Sequence, residues 1–231
     1  MTILCIETST NICSVALGTN GTCVFSRVNT EGMNHATMLS PFIDEALKEA
    51  ERLQLKIDAI AVSGGPGSYT GLRIGVSTAK GLAYGFGIPL IALSTLRIIT
   101  QMGINSIQKP TENSILCSMI DARRMEVYAA FYNWEGEIIR EIAADIIDEN
   151  AYNELLEQQQ VFFMGNGAPK CKDTIKHEHA IFIDDIIPTA ENMIALAEKA
   201  FAAGDTVDVA YYEPFYLKEF HTTTPKAKLM G

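Results

Sequence analysis

Hydrophobic positions change period several times along the chain, and each change marks an element. TILCIET is a short apolar run rich in β-formers. ICSVALG follows after the turn STN, and TCVFSRV after the turn TNG. These read as three strands of an antiparallel meander. Asn20-Gly21 in the second turn is a hairpin signal, because both residues tolerate positive φ. From Asn34 to Leu53 the period becomes helical, with Met38, Leu39, Phe42, Ile43, Ala46, Leu47 and Ala50 on one stripe. IDAIAVSG is apolar throughout, as a strand buried on both faces would be. A glycine-rich loop and a helix from Thr70 to Phe86 come next, then the strand IPLIALS and the short helix TLRIITQMG.

The polar stretch from Gly103 to Ser114, with Pro110, reads as a linker. After it the order partly repeats. ILCSMID, EVYAAFYN and EIIREIAAD form three strands, turning at ARR and WEGE. A helix around Asn150 to Gln158, the strand VFFMG, the loop Gly165-Asn166-Gly167, a helix near Pro169 to Lys176 and the short strand AIFID follow. The last helix runs from Thr189, a residue able to cap it, to Ala203. Three meandering strands and then helix–strand alternation, twice over, predict an α/β chain of two ribonuclease-H-like lobes, the actin-like ATPase (ASKHA) architecture. The expected lobes are 1–103 and a smaller 114–208, with a tail at 209–231 that either packs back on the first or reaches a partner.

Composition narrows the function. The 231 residues are 48% hydrophobic and carry a formal charge of −10. An acidic chain is a poor counterion for phosphate backbones, so tight direct nucleic-acid binding is not expected. Arg123-Arg124 is the one adjacent basic pair, and Lys226 and Lys228 sit in the tail. The five cysteines make no CxxC pair and no metal-ligand spacing, and they read as buried free thiols in a reducing compartment. The start lacks a charged n-region and a long apolar h-region, and no apolar run reaches the ~20 residues of a membrane span. The expected localisation is cytoplasmic.

The stretch GPGSYTGLRIGVSTAKGLAYGFG poses the main question of chemistry. A strand, a glycine loop and a helix N-terminus can hold an anion. The specific fingerprints are absent, however, because Gly71 is followed by Leu72 and Arg73 where a P-loop needs Lys and then Ser or Thr. The helix itself carries Gly71, Gly75, Ala79, Ala83 and Gly87 in one row and Ser77, Gly81 and Gly85 in a second. Glycine in a helix interior costs about 0.5–1 kcal/mol relative to alanine, which close approach of another backbone can offset. The two rows point to two neighbours, the chain's own sheet and another helix.

These stretches, with ILCIETSTNICSVAL at the start and the later MIDARRMEVYAAFY and YEPFYLKE, resemble the TsaB-type dimerization subunits of the bacterial machinery that makes threonylcarbamoyl-adenosine in transfer RNA. They resemble the catalytic TsaD paralogues less closely. The resemblance implies a non-catalytic scaffold needed for threonylcarbamoyl transfer to N6 of adenosine 37 in transfer RNAs reading ANN codons. The implied partners are a TsaD catalytic subunit, as a heterodimer, and a small TsaE ATPase, with self-association when the chain is alone. In the catalytic paralogue a His-x-x-x-His pair holds a metal; here the matching positions are Thr95 and Ile99. His177 and His179 read as a solvated pair, and no metal is expected.

The resemblance places the partner interface on the first two helices. His35, Leu39, Ile43, Leu72 and Val76 would supply apolar or capping contacts, Gly71, Gly75 and Ala79 would permit close approach, and Arg73 and Lys80 would pair with acidic groups. Gly75→Leu is then expected to abolish the heterodimer while the chain stays folded. No resident cofactor is expected, with ATP or ADP at a subunit interface left open. The weak candidates for such a site are Glu7, Thr8 and Asp121, beside the hydroxyls of Ser9 and Thr10 and the loop Gly165–Gly167. They also carry the alternative reading, an ATP-dependent enzyme in its own right. A third reading, a peptidase acting on its paralogue, lacks a nameable nucleophile.

Overall fold

The computed structural model describes residues 1–32, 34–110 and 113–217. The strands form two five-stranded sheets of the same design. The first has the order β3-β2-β1-β4-β5, built from β1 (Thr2–Glu7), β2 (Cys13–Thr19), β3 (Thr22–Asn29), β4 (Ala59–Gly65) and β5 (Leu90–Ser94). β1, β2 and β3 pair antiparallel, and β4 and β5 add parallel to β1. The second has the order β10-β9-β6-β7-β8, from β6 (Ser114–Asp121), β7 (Glu126–Tyr132), β8 (Ile138–Ile146), β9 (Gln160–Met164) and β10 (Ala180–Phe182). Its pairings repeat the antiparallel and parallel pattern of the first. This is the duplicated ribonuclease-H-like arrangement that the element order predicts.

β1 and β4 are buried along their whole length, so the first sheet needs cover on both faces. On one face lie α1 (His35–Arg52) and α2 (Tyr69–Phe86), which pack Leu39, Phe42, Ile43, Ala46, Val76, Ala79 and Ala83 onto Leu4, Ile6, Val15 and Val62. Ser68 caps α2 by accepting from the Gly71 amide, and Gly87 ends it in the left-handed conformation at φ 65°. α3 (Thr95–Ser106) lies between the sheets, with Ile98 in the second core of the first lobe and Leu96 and Ile99 in the core of the second.

The other face of the first sheet is covered from far along the chain. Ala190, Met193, Ile194, Leu196 and Ala197 pack on Ile3, Cys5, Ala16, Ala61 and Ile91. The Ala190 amide donates to Ser14 Oγ at 2.9 Å, and the Gly21 amide to Glu198 Oε1 at 2.7 Å. This corrects the expected second lobe of 114–208, because α5 (Ile194–Ala203) and the turn before it belong by packing to the first. The reason is that the second face of the first sheet is apolar and takes α5 as its cover. The predicted single helix from Thr189 is also split, with a 3-10 turn at Ala190–Met193 ahead of α5. Thr189 does not cap it, since its hydroxyl instead accepts from the Asn192 side chain at 2.7 Å.

Smaller differences follow the same logic of packing. α3 runs into the expected linker, from Gly103 to Ser106. The helix expected around 150–158 is the single turn α4 (Asn153–Leu156), and that expected near 169–176 is a 3-10 turn at Pro169–Cys171. Of the two alternatives for the tail, the described part after α5 takes the first and packs back on the first lobe. Val207 bridges to Leu90, and the Phe215 amide donates to the Gly64 carbonyl at 2.8 Å. The rest of the expected tail, 218–231, with His221, Lys226 and Lys228, lies outside the described residues.

Candidate functional site

The glycine loop and α2 sit directly on the turn that ends β1. A Cβ on Gly67 would overlap the Ser9 carbonyl oxygen, one on Gly71 the Thr8 carbonyl oxygen and one on Gly75 the Thr8 hydroxyl. Thr8 Oγ1 donates to the Gly71 carbonyl at 2.8 Å, and the Ser68 amide donates to the Ser9 carbonyl at 2.6 Å. Gly71, Gly75, Ala79 and Ala83 of the first row are therefore spent inside the chain.

That seating closes the turn. Glu7, Thr8, Ser9 and Thr10 are all buried. Glu7 Oε1 accepts from the Ser9 amide and hydroxyl at 2.5 Å each, and Oε2 has no partner among the described residues. Burial pushes the Glu7 carboxyl up to about 7, against the opposing pull of the Ser9 hydrogen bonds. Asp121 sits at the matching place in the second lobe, where it is exposed and ion-paired to Lys170. Lys170 Nζ also donates to the Arg124 and Glu126 carbonyls. The loop Gly165–Gly167 packs on the end of β6. The Gly167 amide donates to the Met119 carbonyl at 3.1 Å, and the Asp121 amide donates to Asn166 Oδ1 at 3.1 Å. Glu7, Thr8 and Asp121 are thus held by separate local partners, and the first two are sealed from solvent.

Thr95 and Ile99 are buried as well, and a Cβ on Gly165 would come within 3.1 Å of Ile99 Cδ1. Apolar packing fills the helix position that would need an imidazole. Among the described residues no group of three His, Cys, Asp or Glu could hold a metal ion. The thiols of Cys5, Cys13, Cys117 and Cys171 are pushed up by burial, away from the reactive thiolate form. Among the described residues no helix is long and apolar enough to cross a membrane.

The predicted interface residues divide sharply. Leu39, Ile43, Gly71, Leu72, Gly75, Val76 and Ala79 are buried within the chain and cannot meet a partner. His35 is buried too, its Nε2 donating to the Ile12 carbonyl at 3.0 Å. The reason is periodicity: the apolar stripe of a surface helix faces its own sheet. Lys80 is also engaged, since Nζ donates to the Ala210 and Tyr212 carbonyls at 3.1 and 2.9 Å. Only Arg73 is exposed; it donates to the Tyr69 hydroxyl at 3.2 Å and lies over that ring.

The second row of small residues faces outward. Ser77, Gly81 and Gly85 are exposed, and a Cβ on Gly81 or Gly85 would meet nothing within 4 Å. Tyr84 stands beside them at 83% exposure, and Phe86 at the helix end is exposed too. The result is a groove-like helix face of small residues edged by Arg73 and an aromatic ring. Tyr84 and Phe86 were not legible as site residues from their spacing alone. The signal lay in the small row on the polar side of the helix.

Comparison with known proteins gives this face a context. Residues 30–225 match the family model described as TsaD, tRNA N6-adenosine threonylcarbamoyltransferase. The chain is 34% identical to a tRNA threonylcarbamoyladenosine biosynthesis protein TsaB of Escherichia coli, over 94% of this chain and 95% of that one. It is 30% identical to the Haemophilus influenzae protein of the same name, over 94% of each. Among solved structures, YeaZ from Pseudomonas aeruginosa superposes with a TM-score of 0.77 at 28% identity, covering 94% of this chain and 99% of that one.

Proposed function

The chain belongs to the TsaB family of tRNA threonylcarbamoyladenosine biosynthesis proteins, and on that premise we propose that it is a non-catalytic scaffold whose helix α2 docks on a TsaD-type catalytic subunit. The observation that carries this reading is the outward face of α2. Gly81 and Gly85 weaken the helix by about 0.5–1 kcal/mol each, and among the described residues no contact uses the space they leave. A second helix laid along Ser77, Gly81 and Gly85 would use it, with Tyr84 as a rigid aromatic anchor. Arg73, exposed and without a carboxylate partner among the described residues, can meet an acidic group on that partner.

The same geometry argues against chemistry by this chain. The turn that a nucleotide phosphate would approach is covered by α2, and the helix position of the catalytic metal pair is filled by Ile99 against Gly165. The transfer step therefore falls to the catalytic subunit, and a TsaE-type ATPase joins the assembled pair. Reconstitution tests the reading. Threonylcarbamoyl transfer to transfer RNA by the catalytic paralogue and the ATPase is measured with wild-type chain, with Gly81→Arg, and without the chain. Transfer that needs the wild type and is lost with folded Gly81→Arg supports it. Transfer that proceeds without the chain, or with Gly81→Arg undiminished, overturns it.

A further inference from the structure

A cavity of about 450 Å³ opens between the lobes, well within the size range of small-molecule sites. None of the buried residues of the β1 turn lines it, so it is separate from the closed turn described above. Its walls come from the ends of β4 and β5, the start of α3, the β7–β8 hairpin, α5 and the returning segment that carries Tyr212 and Phe215. Leu93, Ile142, Leu196 and Phe215 give it an apolar lining.

Four charged side chains also line it, Arg97 and Lys199 against Glu141 and Asp205. None of the four makes an ion pair with a described residue. Tyr132, also in the lining, is buried, and burial pushes its hydroxyl up, with Arg97 pulling it down and Glu141 raising it further. An apolar pocket with two exposed cations and two exposed carboxylates at its rim, none ion-paired to a described residue, complements a molecule that is itself doubly charged. A purely anionic ligand would leave Glu141 and Asp205 opposed, and a purely cationic one would leave Arg97 and Lys199 opposed.

We propose that this cavity binds a small zwitterion with an apolar body, of the amino-acid or dipeptide class. The carboxylate lies toward Arg97 and Lys199, the ammonium toward Glu141 and Asp205, and the side chain on the apolar lining. The site is independent of the partner face on α2. The returning segment nevertheless links the two, since Tyr212 lines the cavity and its carbonyl accepts from Lys80 of α2.

Ligand-observed NMR and calorimetry on the full chain test this with four probes: L-phenylalanine, the dipeptide Ala-Phe, N-acetyl-phenylalanine and phenethylamine. The first two keep both charges, the third lacks the cation and the fourth the anion. The expected result is binding of at least one zwitterion in the micromolar-to-millimolar range, weakened about tenfold or more for each singly charged analogue. The stronger of the two zwitterions tells a free amino acid from a peptide. The surface double variant Arg97→Gln/Lys199→Gln, whose fold is checked by circular dichroism, should lose binding about tenfold or more. No zwitterion binding at millimolar concentration, equal binding of the singly charged analogues, or undiminished binding by the double variant each overturns the proposal.

Discussion

Thr8 donates its hydroxyl hydrogen bond to the Gly71 carbonyl at 2.8 Å, tying the end of β1 to the first turn of α2. Gly71 and Gly75 have no Cβ to spare there, because Thr8 occupies the space. Seating these inward glycines on Thr8 turns Ser77, Gly81 and Gly85 to the outside. One contact thus closes the β1 turn and presents the helix face.

Gly75→Leu is therefore a folding variant rather than an interface variant, a reversal of the sequence-based expectation. Gly71→Ala is the milder test of the same contact, since its methyl would press on backbone. Overpacking of this kind costs about 1–3 kcal/mol. The melting temperature of the isolated chain should fall by several degrees. An unchanged melting curve would show that the turn can yield.

Gly81 behaves in the opposite way. Gly81→Ala adds a methyl in open space and should stabilise the isolated chain by about 0.5–1 kcal/mol. Gly81→Arg should leave folding intact and remove the heterodimer peak in size exclusion. A heterodimer that survives Gly81→Arg would move the interface elsewhere.

Glu7 makes stability depend on pH. Its folded pKa is raised from the ordinary 4.5 to about 7 by burial. Below pH 4.5 folded and unfolded chains both hold the proton, and the group's contribution is fully present. Between pH 4.5 and about 7 only the folded chain holds it, so stability falls as pH rises, by about 3 kcal/mol in all as an order of magnitude. Glu7→Gln imitates the protonated form. Chemical denaturation at pH 5 and pH 8 should show the variant close to wild type at the lower pH and more stable at the higher. An identical pH slope in both proteins would mean that the carboxylate is not sealed as the structure has it.

Lys80 latches the returning segment to α2 through the Ala210 and Tyr212 carbonyls. Lys80→Met keeps most of the aliphatic stem and removes the donors. Amide exchange at Phe215, whose N–H bonds the Gly64 carbonyl, should quicken about tenfold, the loss of one charge-assisted bond. Unchanged exchange would place the anchoring in the Tyr69–Tyr216 ring contact at 4.9 Å instead.

Most strands were legible because their signals are local. Asn20-Gly21 marks the first hairpin by its backbone freedom alone, and both residues have positive φ. The continuous apolar run of Ala59–Gly65 announces a strand covered on both faces. The short turns at Asn153–Leu156 and Pro169–Cys171 were read as full helices, because nothing local limits their length. Two small-residue rows on α2 were visible as well, and so was the need for two neighbours.

The sequence by itself determined the duplicated element order, and its long N-terminal motifs carry the resemblance to the TsaB family. The element order is a property of periodicity and turn chemistry, each readable within a dozen or so residues. Only the tertiary structure decided which row of α2 looks inward, since that depends on where Thr8 ends β1, more than sixty residues away. It also decided that α5 completes the first lobe rather than the second, because Ile194 fills the space over Gly18. Residue type gives each side chain its chemistry, and long-range packing determines whether that chemistry faces solvent, a partner or the core.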